Sequence, residues 1–570
     1  MTVRDWADLS DVPQPGAAGL MAETASALLR RNGTDPAFAD QPAVLFEDVR
    51  WTHADLFREA RRWAAWFNRY RPADPAAPFH VGVLLDNLPE YIAAFAGAAW
   101  SGATLVGLNN TRRGEELARD ISHTDLCVIV TEPEHADALP AAGLPPVAVL
   151  PDVDLPDQPP ADRDPADDPP VSTTWCLIFT SGTSSAPKAV ICSQRRLLVT
   201  GERMRTILKL ERDDVGYLCM PMFHSNSLMV GLLPALLAGA AVGLRRRFSA
   251  SGWLPDVRRY GVTYWNYTGK PLAYLLATPE QPDDADNPLQ RAYGNEGSDA
   301  IVRRFGERFG VHVIDAFGPT EGGVGIVRSD TDPPGSLGHG GEAVRVVDEA
   351  GEQRPPAQFD ENGRLLNPDD CVGEIVNVLG VGSFEGYYNN PEATERATRN
   401  GWYWSGDLGY ADTGGYLYFA GRNSDWLRVD GENFPAGPIQ SVLARYPGVV
   451  DVAVYGVPDA QAGDQVMAAL VLRDGFDPAG FAEWVDAQRD LAPKWRPRYV
   501  RIGASLPRTA TNKVLVRVLQ REKFRLDLVG DDRLWVRGRG EPSYQAFGAS
   551  EAAALRAEFA ANDRDRFWDL

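Results

Sequence analysis

Cysteine is scarce and poorly placed for either of its usual structural uses. The five residues, Cys127, Cys176, Cys192, Cys219 and Cys371, are scattered, odd in number and contain no CxxC pair. That excludes a zinc ribbon or a disulfide framework and fits a reducing cytosol. Positive charge is also in deficit, with 57 basic residues against 78 acidic ones and a formal charge of -21. Most of such a surface repels nucleic acid and anionic lipid, so a phosphate-bearing ligand needs a local site. The amino terminus, MTVRDWADLS, lacks the charged and then apolar pattern of a secretory signal; none is assigned, and the expected location is cytoplasmic. No fixed-period repeat is present. One uncharged run, Tyr91 to Leu108, is nominally long enough to question as a membrane span. Its three glycines, internal hydroxyls and many alanines predict instead a buried helix passing into a buried strand.

What is present points to a multi-domain globular chain. At 570 residues, 44% of them apolar, the sequence exceeds what one core organises, so at least two domains are expected. THADLFREARRWAAWFNRY sets Leu56, Ala60, Trp63 and Phe67 at helical spacing, the strand-like FHVGVLLDN follows, and EELARDISHTDLCVIVTE repeats the order. Alternation of this kind predicts parallel sheets covered by helices. Pro151 to Pro170, rich in proline and aspartate, reads as a solvated connection. A second change of composition, Gly421 to Phe434, precedes a small α+β unit of about 100 residues.

Three segments carry chemistry. TSGTSSAPKAV, Thr180 to Val190, follows the apolar WCLIF and offers hydroxyls, backbone donors and Lys188 to phosphate oxygens; its spacing is not that of a Walker loop. VIDAFGPTEGG, Val313 to Gly323, ends a strand in a turn bearing Thr320 and Glu321, a carboxylate suited to Mg²⁺ or simply a helix start. GWYWSGDLGY, Gly401 to Tyr410, sets Asp407 in a glycine-flanked turn, as a ribose acceptor or as a turn aspartate bonding its own backbone.

FTSGTSSAPKAV, FGPTE, GYYNNPEAT, YWSGDLG, YFAGRNSD and LPRTATNK, in this order over roughly Gln41 to Arg521, resemble the adenylate-forming superfamily of acyl-CoA synthetases, adenylation domains and luciferases. RRFSASGWLPDVRRYGVTYWNYTGKPLAYLL and DWLRVDGENF are most similar to its fatty-acid transport protein or very-long-chain acyl-CoA synthetase branch. The resemblance implies an α/β protein: a large N-terminal domain of stacked α/β sheets over 1–421, a small mobile α+β C-terminal domain over 422–526, and an extension over 527–570.

It also implies roles. Thr180, Ser181, Gly182, Thr183, Ser184 and Lys188 would order the β and γ phosphates of ATP. Phe317 would neighbour the adenine, with Gly318 in the same nucleotide-binding turn, Thr320 a phosphate contact and Glu321 the Mg²⁺ ligand. Asp407 and Arg422 would hold the ribose, and Gly294, Asn295 and Glu296 of GNEG would line the adenine and the substrate carboxylate. Lys513 would bridge the α phosphate and the attacking carboxylate; with Glu321, Thr183 and the substrate-side His224 it completes the catalytic set. Residues Arg422 to Asp425 would be the hinge. Ser185, Ala189 and Asn512 stand where the family usually has glycine, each adding a Cβ at a tight turn.

Trp265, Asn266, Lys270 and Glu296 are expected in the substrate pocket beside His224, and their polarity favours a small or polar acid. The first functional reading is thus an ATP- and Mg²⁺-dependent ligase passing an acyl-AMP to coenzyme A. The second is a diazotase activating nitrite with an aryl amine at the same site. A nucleotide-binding relic is disfavoured by the joint presence of Glu321, Asp407, Arg422 and Lys513. A carrier-protein pantetheine is a further acceptor, although no carrier segment is present. The alanine-rich helix predicted over Ser550 to Asn562 suits either docking onto a domain or pairing in a homodimer.

Overall fold

The computed structural model describes residues 23–180, 187–295, 297, 299–329, 331–361, 365–422, 426–429, 432–460, 464–509, 513–538, 540–562, 564 and 566–569. Contacts divide the chain into two compact units, Met1–Gly325 with Gly380–Tyr403, and Ile326–Leu379 with Trp404–Leu570.

The first unit holds two sheets. One runs in the order His312–Phe317, Arg291–Asn295, Tyr264–Thr268, Val215–Leu218, Ala241–Leu244, Pro42–Phe46, Val49–Thr52, parallel except for the last pair. The other runs Tyr387–Tyr388, Lys188–Ser193, Thr174–Thr180, Thr104–Gly107, His80–Leu84, Leu126–Thr131, Val147–Val149, with a parallel centre. The alternating pattern thus becomes parallel sheets as expected, because such strands are buried on both faces and need helical crossovers.

The uncharged run beginning at Tyr91 folds as the helix Pro89–Ser101, ended by Gly102 at φ 75°, and then the strand Thr104–Gly107. Nearly every side chain in it is buried, and the Trp175 indole donates to the Phe95 carbonyl from a stacked ring 4.4 Å away. Among the described residues, no helix is long and apolar enough to cross a membrane.

The Pro151 to Pro170 connection is strapped down more firmly than its composition suggests. Arg30 reaches Asp162 and Asp168, Arg62 donates to the Pro156 carbonyl, and Arg163 holds both Asp168 and the Ser26 hydroxyl. Two of the scattered cysteines also meet: Cys176 and Cys192 are register partners on the strands Thr174–Thr180 and Lys188–Ser193, which flank the hydroxyl-rich loop.

The second unit contains a sheet in the order Gly338–His339, Tyr416–Arg422, Tyr403–Ala411, Gly373–Asn377, Val344–Val347, and another in the order Val449–Pro458, Asp464–Leu472, Tyr499–Ile502, Arg533–Val536, Gln545–Ala546. One apolar core runs through Cys371, Leu408, Tyr410 and Ala420 into Ile439, Val454 and Phe481. The C-terminal extension docks onto this unit. Arg533–Val536 and Gln545–Ala546 add strands to the second sheet, and Phe559 and Trp568 enter a core with Tyr499, Leu519 and Phe524. Lys523 Nζ donates to the Phe567 carbonyl at 2.8 Å.

Candidate active site

The hydroxyl-rich loop is the connection of an antiparallel hairpin. Thr180 and Lys188 face one another in register, so the two ends of the motif are pinned together. Ser181, Gly182, Thr183, Ser184 and Ser185 lie outside the described residues. Lys188 Nζ sits 5.5 Å from the centroid of the Tyr387 ring, a cation–π approach. Ala189, expected at a tight turn, is instead a buried member of the strand Lys188–Ser193 paired with Phe179. An extended backbone accepts a Cβ there without strain.

Tyr387 joins this strand to the second motif. Its phenol donates to Glu321 Oε1 at 2.7 Å. Burial first, and the adjoining Glu321 charge second, push that phenol well above its ordinary pKa, so it remains a proton donor. Glu321 is 8% exposed, and among the described residues its other oxygen makes no hydrogen bond. The neighbouring Thr320 is fixed twice: its hydroxyl lies 2.9 Å from the Ser225 hydroxyl, and its carbonyl accepts from Arg196. Arg196 also donates to the Ile191 carbonyl, on the strand that follows the hydroxyl-rich loop. The half-buried Phe317 and exposed Gly318 precede them in the same turn.

GNEG closes a third side. Gly294 is required by a close strand approach, because a Cβ there would stand 2.3 Å from the Tyr267 carbonyl oxygen. Asn295 ends the strand with a buried side-chain oxygen that has no hydrogen-bond partner among the described residues. The Gly297 amide and the Tyr267 hydroxyl both donate to Asp315 Oδ2, at 3.0 and 2.7 Å. Glu296 lies outside the described residues. His224, half-buried, packs its ring 4.5 Å from that of Phe223.

The expected pocket residues separate by strand alternation. Trp265 is fully buried in an aromatic core, its ring 5.2 Å from Trp253 and 5.8 Å from Phe305. It lines no pocket, because consecutive residues of Tyr264–Thr268 point to opposite faces. Asn266 takes the other face and donates to Asn226 Oδ1 at 2.7 Å, while Asn226 donates to the Tyr267 carbonyl. The Lys270 side chain lies outside the described residues. Trp265→Ala is therefore expected to cost about 3–5 kcal/mol of stability by denaturant unfolding while leaving the ranking of substrates as it was. A changed ranking with unchanged stability would reverse this assignment.

In the second unit, the buried Asp407 is the register partner of Arg422, whose side chain lies outside the described residues. The Asp407 amide donates to Ser405 Oγ at 3.1 Å. Lys513 is half-buried, its carbonyl accepting from the Thr509 amide and its own amide donating to the Thr509 hydroxyl. Asn512 and the hinge residues Asn423 to Asp425 lie outside the described residues. Sequence reasoning did not single out Ser225, Arg196, Tyr387 or Asp315, although the last two lie inside motifs it quoted.

Comparison with known proteins gives this geometry its class. Residues 32–388 match the AMP-binding enzyme family model and residues 438–513 the AMP-binding enzyme C-terminal domain. The chain is similar to steroid-22-oyl-CoA synthetase of Rhodococcus jostii, at 44% identity over 93% of this chain and 96% of the relative. It is also similar to the medium/long-chain-fatty-acid--CoA ligase FadD17 of Mycobacterium marinum, at 48% identity over 84% of this chain and 92% of the relative. Among solved structures, the anthranilate CoA ligase AuaEII in complex with anthranoyl-AMP superposes with a TM-score of 0.74 at 22% identity, covering 91% of this chain and 98% of that one. ATP-bound MatB from Rhodopseudomonas palustris gives 0.73 at 22% identity, covering 89% of this chain and 100% of that one. The chain belongs to the AMP-binding enzyme family. Its class is AMP-forming acid–thiol ligase, using ATP and coenzyme A. The nitrite-activating alternative finds no support in these relatives, which are CoA synthetases and ligases.

Proposed function

We propose that this enzyme activates an extended, largely apolar carboxylic acid as its acyl-AMP and transfers the acyl group to coenzyme A. The similarity to steroid-22-oyl-CoA synthetase along nearly the whole of both chains carries this reading, and the medium/long-chain relative supports a large acyl group over the small one that pocket polarity suggested.

The chain's own residues have definable tasks in this reaction. The hairpin ends Thr180 and Lys188 bracket a loop of donors for the β and γ phosphates. Tyr387, Ser225 and Arg196 hold Glu321 and Thr320 in place, so the phosphate-side groups are ordered before ATP arrives. Glu321 fits Mg²⁺ as a single hard carboxylate with one oxygen uncommitted among the described residues. Bound there with substrate oxygens, the ion would neutralise charge on the phosphates. Asp407 would take the ribose hydroxyls with Arg422, and Lys513 would meet the α phosphate and attacking carboxylate.

The test incubates enzyme, ATP and Mg²⁺ with steroid side-chain acids, medium- and long-chain fatty acids and small aromatic acids, with and without coenzyme A, and reads products by mass spectrometry. AMP with a thioester from a large acid, the thioester appearing only when coenzyme A is present, is expected. Turnover confined to the small acids would overturn the assignment.

A further inference from the structure

On the helix Gln194–Ile207, Arg196 and Arg203 stand two turns apart and are used differently. Arg196 donates to the Ile191 and Thr320 carbonyls. Arg203 makes no hydrogen bond or ion pair with any described residue, and its Nε is fully buried. Burial depresses its pKa, partly offset by the nearby Tyr293. A largely buried guanidinium without a carboxylate is expensive to keep, so its place in the fold calls for a cause.

Its surroundings supply one. The guanidinium lies directly beside Gly325: a Cβ there would make ordinary contact with it, 3.5 Å from Arg203 Nη1 and 4.0 Å from Nη2. Gly325 closes the turn that begins with Thr320 and Glu321. Tyr293, two residues before Asn295 on the GNEG strand, lies beside the same cation; its buried phenol also makes no hydrogen bond to a described residue, and burial pushes its pKa up to about 12. Two donors with no acceptor among the described residues therefore adjoin the turn after Glu321 and the GNEG strand.

Resting on the ligase reading above, we propose that Arg203, assisted by Tyr293, is a specificity-determining residue that receives an oxygen acceptor carried by the acyl group away from its reacting carboxylate. The substrates that fit best are then apolar acids bearing a distal keto, hydroxyl or carboxylate oxygen. The plain hydrocarbon acid of the same length leaves the guanidinium desolvated and unpaired.

The test measures kcat and KM for thioester formation with pairs of acids that differ only by a distal oxygen, in the wild-type enzyme, Arg203→Met and Arg203→Lys. The wild type is expected to prefer the oxygenated member by about 10- to 100-fold in kcat/KM, as for one hydrogen bond to a charged group. Arg203→Met should collapse that ratio towards one, mainly through KM, and Arg203→Lys should restore part of it. Thermal unfolding of both variants separates this from loss of fold. A ratio equal in all three enzymes, or a wild-type preference for the plain acid, overturns the assignment of Arg203 while leaving thioester formation intact. Absence of thioester from every acid would instead count against the ligase reading itself.

Discussion

Lys513→Ala is expected to slow acyl-AMP formation by roughly a hundredfold to a thousandfold, the loss typical when one preorganised donor is removed from developing transition-state charge. The same variant should consume supplied acyl-AMP and coenzyme A at close to the wild-type rate. The asymmetry follows from where Lys513 sits. Its backbone is held by the amide and hydroxyl of Thr509, and it belongs to the second unit, whereas Thr180, Lys188, Thr320 and Glu321 all belong to the first. In the proposed cycle, a change of conformation delivers the amine for adenylation and withdraws it for thiolation. Because these contacts to Thr509 use the Lys513 main chain, alanine should leave the fold in place. Pyrophosphate exchange, with a separate assay of thioester formation from synthetic acyl-AMP, measures the two half-reactions. Equal losses in both would reject the two-conformation scheme.

The motifs were legible because each joins a strand to a turn, and a strand end is where a parallel sheet presents its chemistry. Thr180, Lys188, Thr320 and Glu321 lie at or just beyond strand ends, whereas Asp407, expected in a glycine-flanked turn, sits in the middle of the antiparallel strand Tyr403–Ala411. Position on a strand does not declare its face, which is why Trp265 and Asn266 were read together although alternation sends one into the core and the other towards Asn226. Arg196 and Arg203 escaped notice for a different reason. Arginine on a helix usually marks a solvated face, and only the tertiary placement of Thr320 and Gly325 against that helix makes these two internal. The extension could not be assigned a partner from its pattern, since apolar residues at i and i+4 suit any apolar groove; Phe559 and Trp568 found theirs beside Phe524.

Glu321→Gln is expected to be the most selective probe of the phosphate end of the site. Glutamine keeps the size of the side chain and an oxygen that accepts from the Tyr387 hydroxyl, now 2.7 Å from Oε1. The contact between the TEGG turn and the strand Tyr387–Tyr388 therefore persists, and thermal unfolding should move little. What is lost is the negative charge on a nearly buried group, and with it the only reason for a divalent cation to prefer this carboxylate to water. The Mg²⁺ concentration giving half-maximal acyl-AMP formation should rise at least about tenfold, and the rate at saturating Mg²⁺ should fall about a hundredfold. Tyr387→Phe makes the reciprocal change, keeping the charge and removing the donor that orients it, so its Mg²⁺ requirement should shift in the same direction by a smaller factor. A Mg²⁺ titration of pyrophosphate release across wild type, Glu321→Gln and Tyr387→Phe orders the three. Identical Mg²⁺ midpoints would mean that Glu321 only anchors the turn through Tyr387, and that the metal is held elsewhere.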